Sequence, residues 1–237
     1  MTASIKMFIY MVKQITREMM MVMLVIAPVL AGLFFRIGIP LLESKVLSHY
    51  GLEKVIIPYY ELFGWLLAML TGMLFAFVGG LVVLGEIDEN VAKYIIVTPV
   101  GMRGYLISRI LIPAVISGAV AFVCVPAFSL VPIGPARLMV MVVSTMLSGI
   151  VTALLVVAIS SNKVEGMAIG KLSGLFGATF FVPLVVKGMI KYVFCLFPMF
   201  WIGEWSLSGG GTKLIIAFVE FFVWISILFC RFKKKMG

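Results

Sequence analysis

The chain is poor in the residues that enzyme chemistry draws on. Its 237 residues include one histidine, His49, and three cysteines, and only 12% are charged. Cys124, Cys195 and Cys230 lie far apart and form no Cys-x-x-Cys or Cys/His cluster, so neither a disulfide framework nor a metal site is suggested. A single histidine in a polar stretch has no partners for a hydrolase triad, a histidine-based zinc site or a haem bundle, and reads as a solvated loop residue. Long polar stretches are also missing, which leaves no segment for a soluble catalytic domain.

What is abundant is apolar: 63% of residues, with a mean hydropathy of +1.21. Soluble domains run at about 45–50% apolar and about 25% charged, so the composition is that of a membrane protein and excludes a water-soluble enzyme. At about 20 residues per crossing, six spans and short loops use up the length. The net charge of +9 comes from 19 Lys and Arg against 10 Asp and Glu, scattered between apolar runs. Nucleic-acid binding wants such residues on one face of a soluble fold. Here they fit the Lys/Arg bias of cytoplasmic loops and attraction to anionic lipid heads.

Along the chain the apolar runs predict an all-α, polytopic single domain over residues 1–237, with spans at about 19–35, 61–84, 106–130, 138–159, 166–186 and 214–230. Before the first, Ile5, Phe8, Ile9 and Val12 recur at helical spacing among Lys6, Lys13 and Arg17, which predicts an amphipathic interfacial helix. The following run lacks a small-x-small cleavage site, so it reads as an uncleaved span. Pro132, Gly134 and Pro135 break spans three and four. Between Lys187 and Lys213 the aromatics Tyr192, Phe194, Phe197, Phe200, Trp201 and Trp205 predict short outer re-entrant half-helices broken at Pro198. Six spans place both termini on one side. With the termini inside, 12 Lys and Arg fall in the cytoplasm and 7 outside, which favours a multi-pass cell-membrane protein with both termini cytoplasmic.

Several polar positions stand out within the spans. Glu220 is the deepest carboxylate and Glu61 caps the outer end of span two; each fits either a transport pathway or interhelical pairing. Ser117, Ser144 and Ser148 have no activating partner at helical spacing and are expected to hydrogen-bond across helices. The stretch from Gly166 to Lys171 is one residue too short between its glycines for a phosphate loop, and Leu172 stands where Ser or Thr is needed for magnesium. Gly166, Gly170 and Gly174 instead form a smooth face for helix packing. No nucleotide or metal cofactor is expected in this chain.

The stretch between spans two and three is the most informative. Glu86, Asp88 and Glu89 suit the positive end of a helix, and Val91, Tyr94, Ile95 and Val97 follow with roughly helical spacing up to Pro99, predicting a short amphipathic helix over about 86–98. With Thr98-Pro99-Val100, then Tyr105-Leu106 and Arg109, this stretch resembles the membrane subunits of ABC transporters of the type-2 exporter permease family. Pro198 followed by Met199, Phe200 and Trp201 before the last span is a second similarity. The chain departs from the family pattern at Ile87, where an Arg is usual, and at Asn90-Val91, where a Gly-Thr pair is usual.

The resemblance implies a half-transporter. A second membrane subunit, identical or related, would pair with this one, and two separate ABC ATPase subunits carrying ATP and Mg would bind the cytoplasmic faces, all within membrane lipids and without nucleic acid. Glu86, Asp88, Glu89, Tyr94, Thr98 and Pro99 would form the ATPase-coupling segment, with the amino-terminal helix as a second contact. ATP-driven closure would push on that segment and export a hydrophobic or amphipathic substrate. The alternatives are a membrane-embedded lipid-modifying enzyme and a non-transporting membrane immunity or sensor protein. The first would need an Asp, His or Arg cluster at one interface, which the sequence lacks.

Overall fold

The computed structural model describes residues 3–47, 59–98 and 101–236. His49, Pro99 and Val100 lie outside the described residues. The helices are α1 (Ala3–Arg17), α2 (Met19–Lys45), α3 (Tyr60–Asp88), α4 (Val91–Ile96), α5 (Gly101–Phe128), α6 (Pro135–Ile159), α7 (Lys163–Val185), α8 (Pro198–Ser208) and α9 (Gly211–Met236). Among the described residues six of these are long and apolar enough to cross a membrane: α2, α3, α5, α6, α7 and α9.

Each span runs past its apolar stretch, because hydrogen-bonded helix continues wherever polar residues find partners. The largest difference is in α2, which carries on ten residues past the expected end of the first span at 35. Two π-helical turns, Phe34–Gly38 and Glu43–Leu47, accommodate the extension. Arg36 donates to the carbonyl of Ala127, one of the orphan acceptors at the end of α5, so the charge that marks the end of the apolar run ties two helices together. Between α7 and α9 the structure has a 3-10 segment, Met189–Phe194, and then α8.

The bundle is built around α3 and α6. Of the most apolar stretch of each, 67% and 61% is buried, against 17% in α2 and in α9 on the perimeter. Glycine makes the central crossing close: a Cβ at Gly72 would lie 2.5 Å from the Thr145 carbonyl oxygen, and one at Gly149 would lie 3.1 Å from the Gly72 carbonyl oxygen. The Thr145 hydroxyl donates across to Ala68 at 3.1 Å. The three serines expected to bridge helices do not: Ser117 and Ser148 donate to the carbonyls of Ala114 and Thr145 in their own helices, and the buried Ser144 hydroxyl has no partner among the described residues. A hydroxyl three residues beyond a free lone pair finds it more cheaply than it finds a neighbouring helix.

Contacts divide the bundle into two ends. The basal end holds both termini: Lys163 bridges to Glu18 at 2.7 Å, and Lys235 donates to the last carbonyls of α6, Val157 (2.8 Å) and Ser160. At the distal end, Arg137 pairs with Glu61 at 2.7 Å and α8 packs on α9 and on the 3-10 turn Thr179–Phe181 of α7. There Trp65 stacks on Phe180 with centroids 4.7 Å apart and meets Trp205 edge-on.

Candidate functional site

The basal end concentrates the polar chemistry. Helix α3 ends at Asp88, and Asn90 with φ of 60° turns the chain sharply into α4. Glu86 and Asp88 are therefore at the carboxyl end of a long helix rather than at the amino end of a short one, as expected from sequence, and α4 covers only Val91–Ile96. Carboxylates at that end oppose the helix dipole, and both are compensated from outside α3.

Asp88 accepts the backbone N–H of Lys163 at 2.9 Å, capping α7. Glu86 is 5% exposed and faces the start of α5. Arg109 grips it in a fork, with Nε 3.1 Å from both carboxylate oxygens and a terminal nitrogen 2.5 Å from Oε1, while the Tyr105 hydroxyl donates to Oε2 at 2.7 Å. The remaining terminal nitrogen of Arg109 donates to the Met7 carbonyl of α1 at 2.7 Å. One guanidinium thus joins α1, α3 and α5.

Two local features place Arg109. It lies in a π-helical turn, Ile107–Leu111, whose extra residue turns the side chain toward α3. The backbone opposite is Gly79, where a Cβ would stand 2.6 Å from the Arg109 carbonyl oxygen. Only glycine lets the two backbones approach this closely.

Next to this junction is an open cleft of about 800 Å³ lined by α1 and the turn into α4, with Glu86 and Arg109 in its wall. Its rim carries Tyr10, Lys13, Arg17 and Glu89. Tyr94 and Val97 beside it are 72% and 82% exposed. The Thr98 hydroxyl bonds the Ile95 carbonyl at 2.6 Å and closes the segment, and Pro99 is outside the described residues. Of the residues picked out as a coupling segment, Asp88, Glu89, Tyr94 and Thr98 are exposed, whereas Glu86 is locked inside. The sequence pattern assigns Arg109 no role, although Glu86 and Arg109 are the acid and the base at the facing ends of consecutive spans, where unpaired charge is costly.

The other predicted positions are elsewhere. Gly166 and Gly170 lie under Leu84 and Phe77 of α3, Gly177 lies against Met73, and Gly174 faces open space. Glu61 pairs with Arg137 at the distal end. Glu220, in the distal half of α9, accepts the Trp201 indole N–H at 2.9 Å. Also distal, Glu204 of α8 is held by Lys191 and, at 3.2 Å, by Lys213. Burial alone would push the Glu204 carboxyl up, but the hydrogen bonds from the two lysines outweigh it and hold the group below its ordinary value. Lys191 in turn is raised by its hydrogen bond to Glu204. Among the described residues no group of three or more His, Cys, Asp or Glu is placed to hold a metal ion.

The chain is similar to two proteins named fluoroquinolones export permease protein, MT2760 and Rv2686c, from Mycobacterium tuberculosis strains CDC 1551 and H37Rv. Each is 27% identical over 235 residues, spanning 92% of this chain and 89% of the relative. No solved structure gives a significant match. The family of Rv2686c-like fluoroquinolones export permease proteins matches residues 11–232, which with the six apolar helices makes this chain a multi-pass membrane permease belonging to that family.

Proposed function

We propose that this chain is the membrane subunit of an ATP-driven ABC exporter and that its basal face receives a separate ATPase chain carrying ATP and Mg. The observation that carries this reading is the exposed apolar surface in and beside the basal cleft, with Tyr10 in its lining and Tyr94 and Val97 next to it. Tyr10, Tyr94 and Val97 are 70%, 72% and 82% exposed at the end of the bundle where the chain leaves the apolar zone. Exposed apolar and aromatic groups around a concave surface mark a protein contact.

The Arg109 junction explains how such a contact would do work. Force applied to α4 reaches α3 through the turn at Asn90 and α5 through the following residues, and the Glu86–Arg109 pair makes the ends of those two spans move together. Through Met7 the same guanidinium takes α1 along. In this reading both termini are cytoplasmic in the cell membrane, two membrane subunits pair, and two ATPases serve them. The segment around α8 is re-entrant. The cargo is hydrophobic or amphipathic, and the names of the relatives make fluoroquinolones the first compounds to test. Co-expression with a candidate ATPase, followed by co-purification and ATPase measurement, tests the reading. Tyr94→Asp together with Val97→Asp is expected to abolish both co-purification and stimulation of hydrolysis. Retention of both activities in that variant would overturn the assignment of the basal face.

A further inference from the structure

The carboxylates within the spans are mostly met at helix ends: Glu86 by Arg109 and Tyr105, Glu61 by Arg137, and Glu43 by Tyr60 on one oxygen, its other oxygen being buried without a partner near the end of α2. Glu220 differs. It is well inside α9, and its one polar contact is the indole N–H of Trp201 on Oε1, at 2.9 Å. Its Oε2 is buried with no hydrogen-bond partner. Ionised, this group faces no cation; protonated, its O–H has no acceptor. Either form leaves the second oxygen unsatisfied within the chain, which is costly in an apolar setting. A group supplied from outside the chain would satisfy it.

The surroundings indicate its chemistry. Trp201 is held by a second hydrogen bond to the Cys195 carbonyl at 2.8 Å, and Trp224, one turn beyond Glu220, donates to the Leu196 carbonyl at 2.9 Å. Trp224 also stacks on Phe197 and meets Phe176 edge-on, with centroids 6.1 and 5.4 Å away. A carboxylate with a free oxygen, oriented by an indole N–H in a low-dielectric site, is suited to pairing with an organic cation. We infer that Glu220, positioned by the Trp201 indole, binds the cationic group of an amphiphile. This rests on the transporter reading above and narrows its substrate class. Because Oε2 is shielded in this conformation, loading requires α8 to lift from α9.

The test uses two hydrophobic ions of the same shape and opposite charge, tetraphenylphosphonium and tetraphenylborate, bound to the purified full chain in detergent. Glu220→Gln is expected to weaken the cation by about tenfold or more, the scale of one desolvated ionic or cation–π contact. It is expected to leave the anion unweakened, and Glu220→Asp to keep part of the cation affinity. Equal cation affinity in the wild type and Glu220→Gln would overturn the site. So would a parallel loss of both ions, which would place Glu220 in the packing rather than in recognition. No ATPase is present in this measurement, so its outcome is independent of whether the basal face docks one.

Discussion

Two buried carboxylates at opposite ends of the bundle have the same kind of partner in different constructions. Glu86 and Glu204 are 5% and 6% exposed. Glu86 is held by a single arginine that is itself buried, with a tyrosine hydroxyl on its other side, and that arginine's spare donor is spent on a third helix. Glu204 is held by two lysines on either side of α8, whose side chains are 21% and 27% exposed. The guanidinium is a rigid fork that fixes orientation as well as charge, whereas an ammonium on a flexible stem tolerates movement. The basal cluster fixes α3, α5 and α1 relative to one another, whereas the distal lysines neutralise Glu204 without fixing its orientation.

The sharpest way to break this contrast is to remove one partner of the basal pair. Arg109→Ala is expected to lower stability by about 3–5 kcal/mol, the cost of leaving a buried charge unpaired, seen as the largest fall in thermal unfolding midpoint in detergent. Glu86→Leu combined with Arg109→Met is expected to recover much of that loss in stability without recovering coupling to an ATPase. A double variant as unstable as Arg109→Ala would contradict the account of the junction as a charge-paired lever.

A smaller effect is expected from the backbone contact beneath the junction. Gly79→Ala places a Cβ against the Arg109 carbonyl, and overpacking of this kind costs about 1–3 kcal/mol. The same change at Gly174, where nothing lies within 4 Å, is expected to be neutral in a thermal scan. Equal destabilisation at both sites would remove the reason given for glycine at 79.

At the distal end, Glu204→Gln is expected to cost about 1–2 kcal/mol, since the lysines that lose their partner reach water. The pH dependence follows from the two shifts. The Glu204 carboxyl is lowered in the folded chain, so its contribution is present above the ordinary carboxylate value near ~4.3 and fades as pH falls through the lower folded value. Lys191 is raised, so its contribution is full below the ordinary lysine value near ~10.4 and fades as pH rises through the folded value. The difference in unfolding midpoint between wild type and Glu204→Gln should thus be flat around neutral pH and shrink in acid. A difference that peaks in acid would reverse the sign argued here. Smallest of all, Arg137→Ala breaks a pair whose side chains are 40% and 34% exposed. It is expected to cost about 0–1 kcal/mol, and less in high salt.

How much could be read before folding differs between these regions for a physical reason. Five of the six spans begin and end within about five residues of where hydropathy alone puts them, because apolar length is a local property of the chain. The exception, α2, was cut short at Arg36, whose charge is satisfied by a carbonyl 91 positions away. The amphipathic helix over residues 86–98 was expected on the dipole argument for its acids. Asn90 instead ends α3 after them, and a left-handed residue that stops a helix is hard to distinguish from an ordinary polar one by spacing. Glu220 was visible as a deep carboxylate. That its neighbour would be an indole from a segment separated from α9 by a glycine turn was not visible.

Composition and periodicity by themselves determined that this is a six-span helical membrane protein with its chemistry at the ends of the spans and a short helical turn between the second and third. Both follow from the cost of placing polar groups in hydrocarbon, which acts residue by residue. Tertiary structure alone decided which charges meet. Glu86 finds Arg109, and through it the Met7 carbonyl, because α3 and α5 run antiparallel with their basal ends adjacent and α1 folds beneath them, whereas Glu220 meets only the Trp201 indole and keeps an orphan oxygen. Ion pairing depends on distance in space, and the chain sets that distance only when the helices pack.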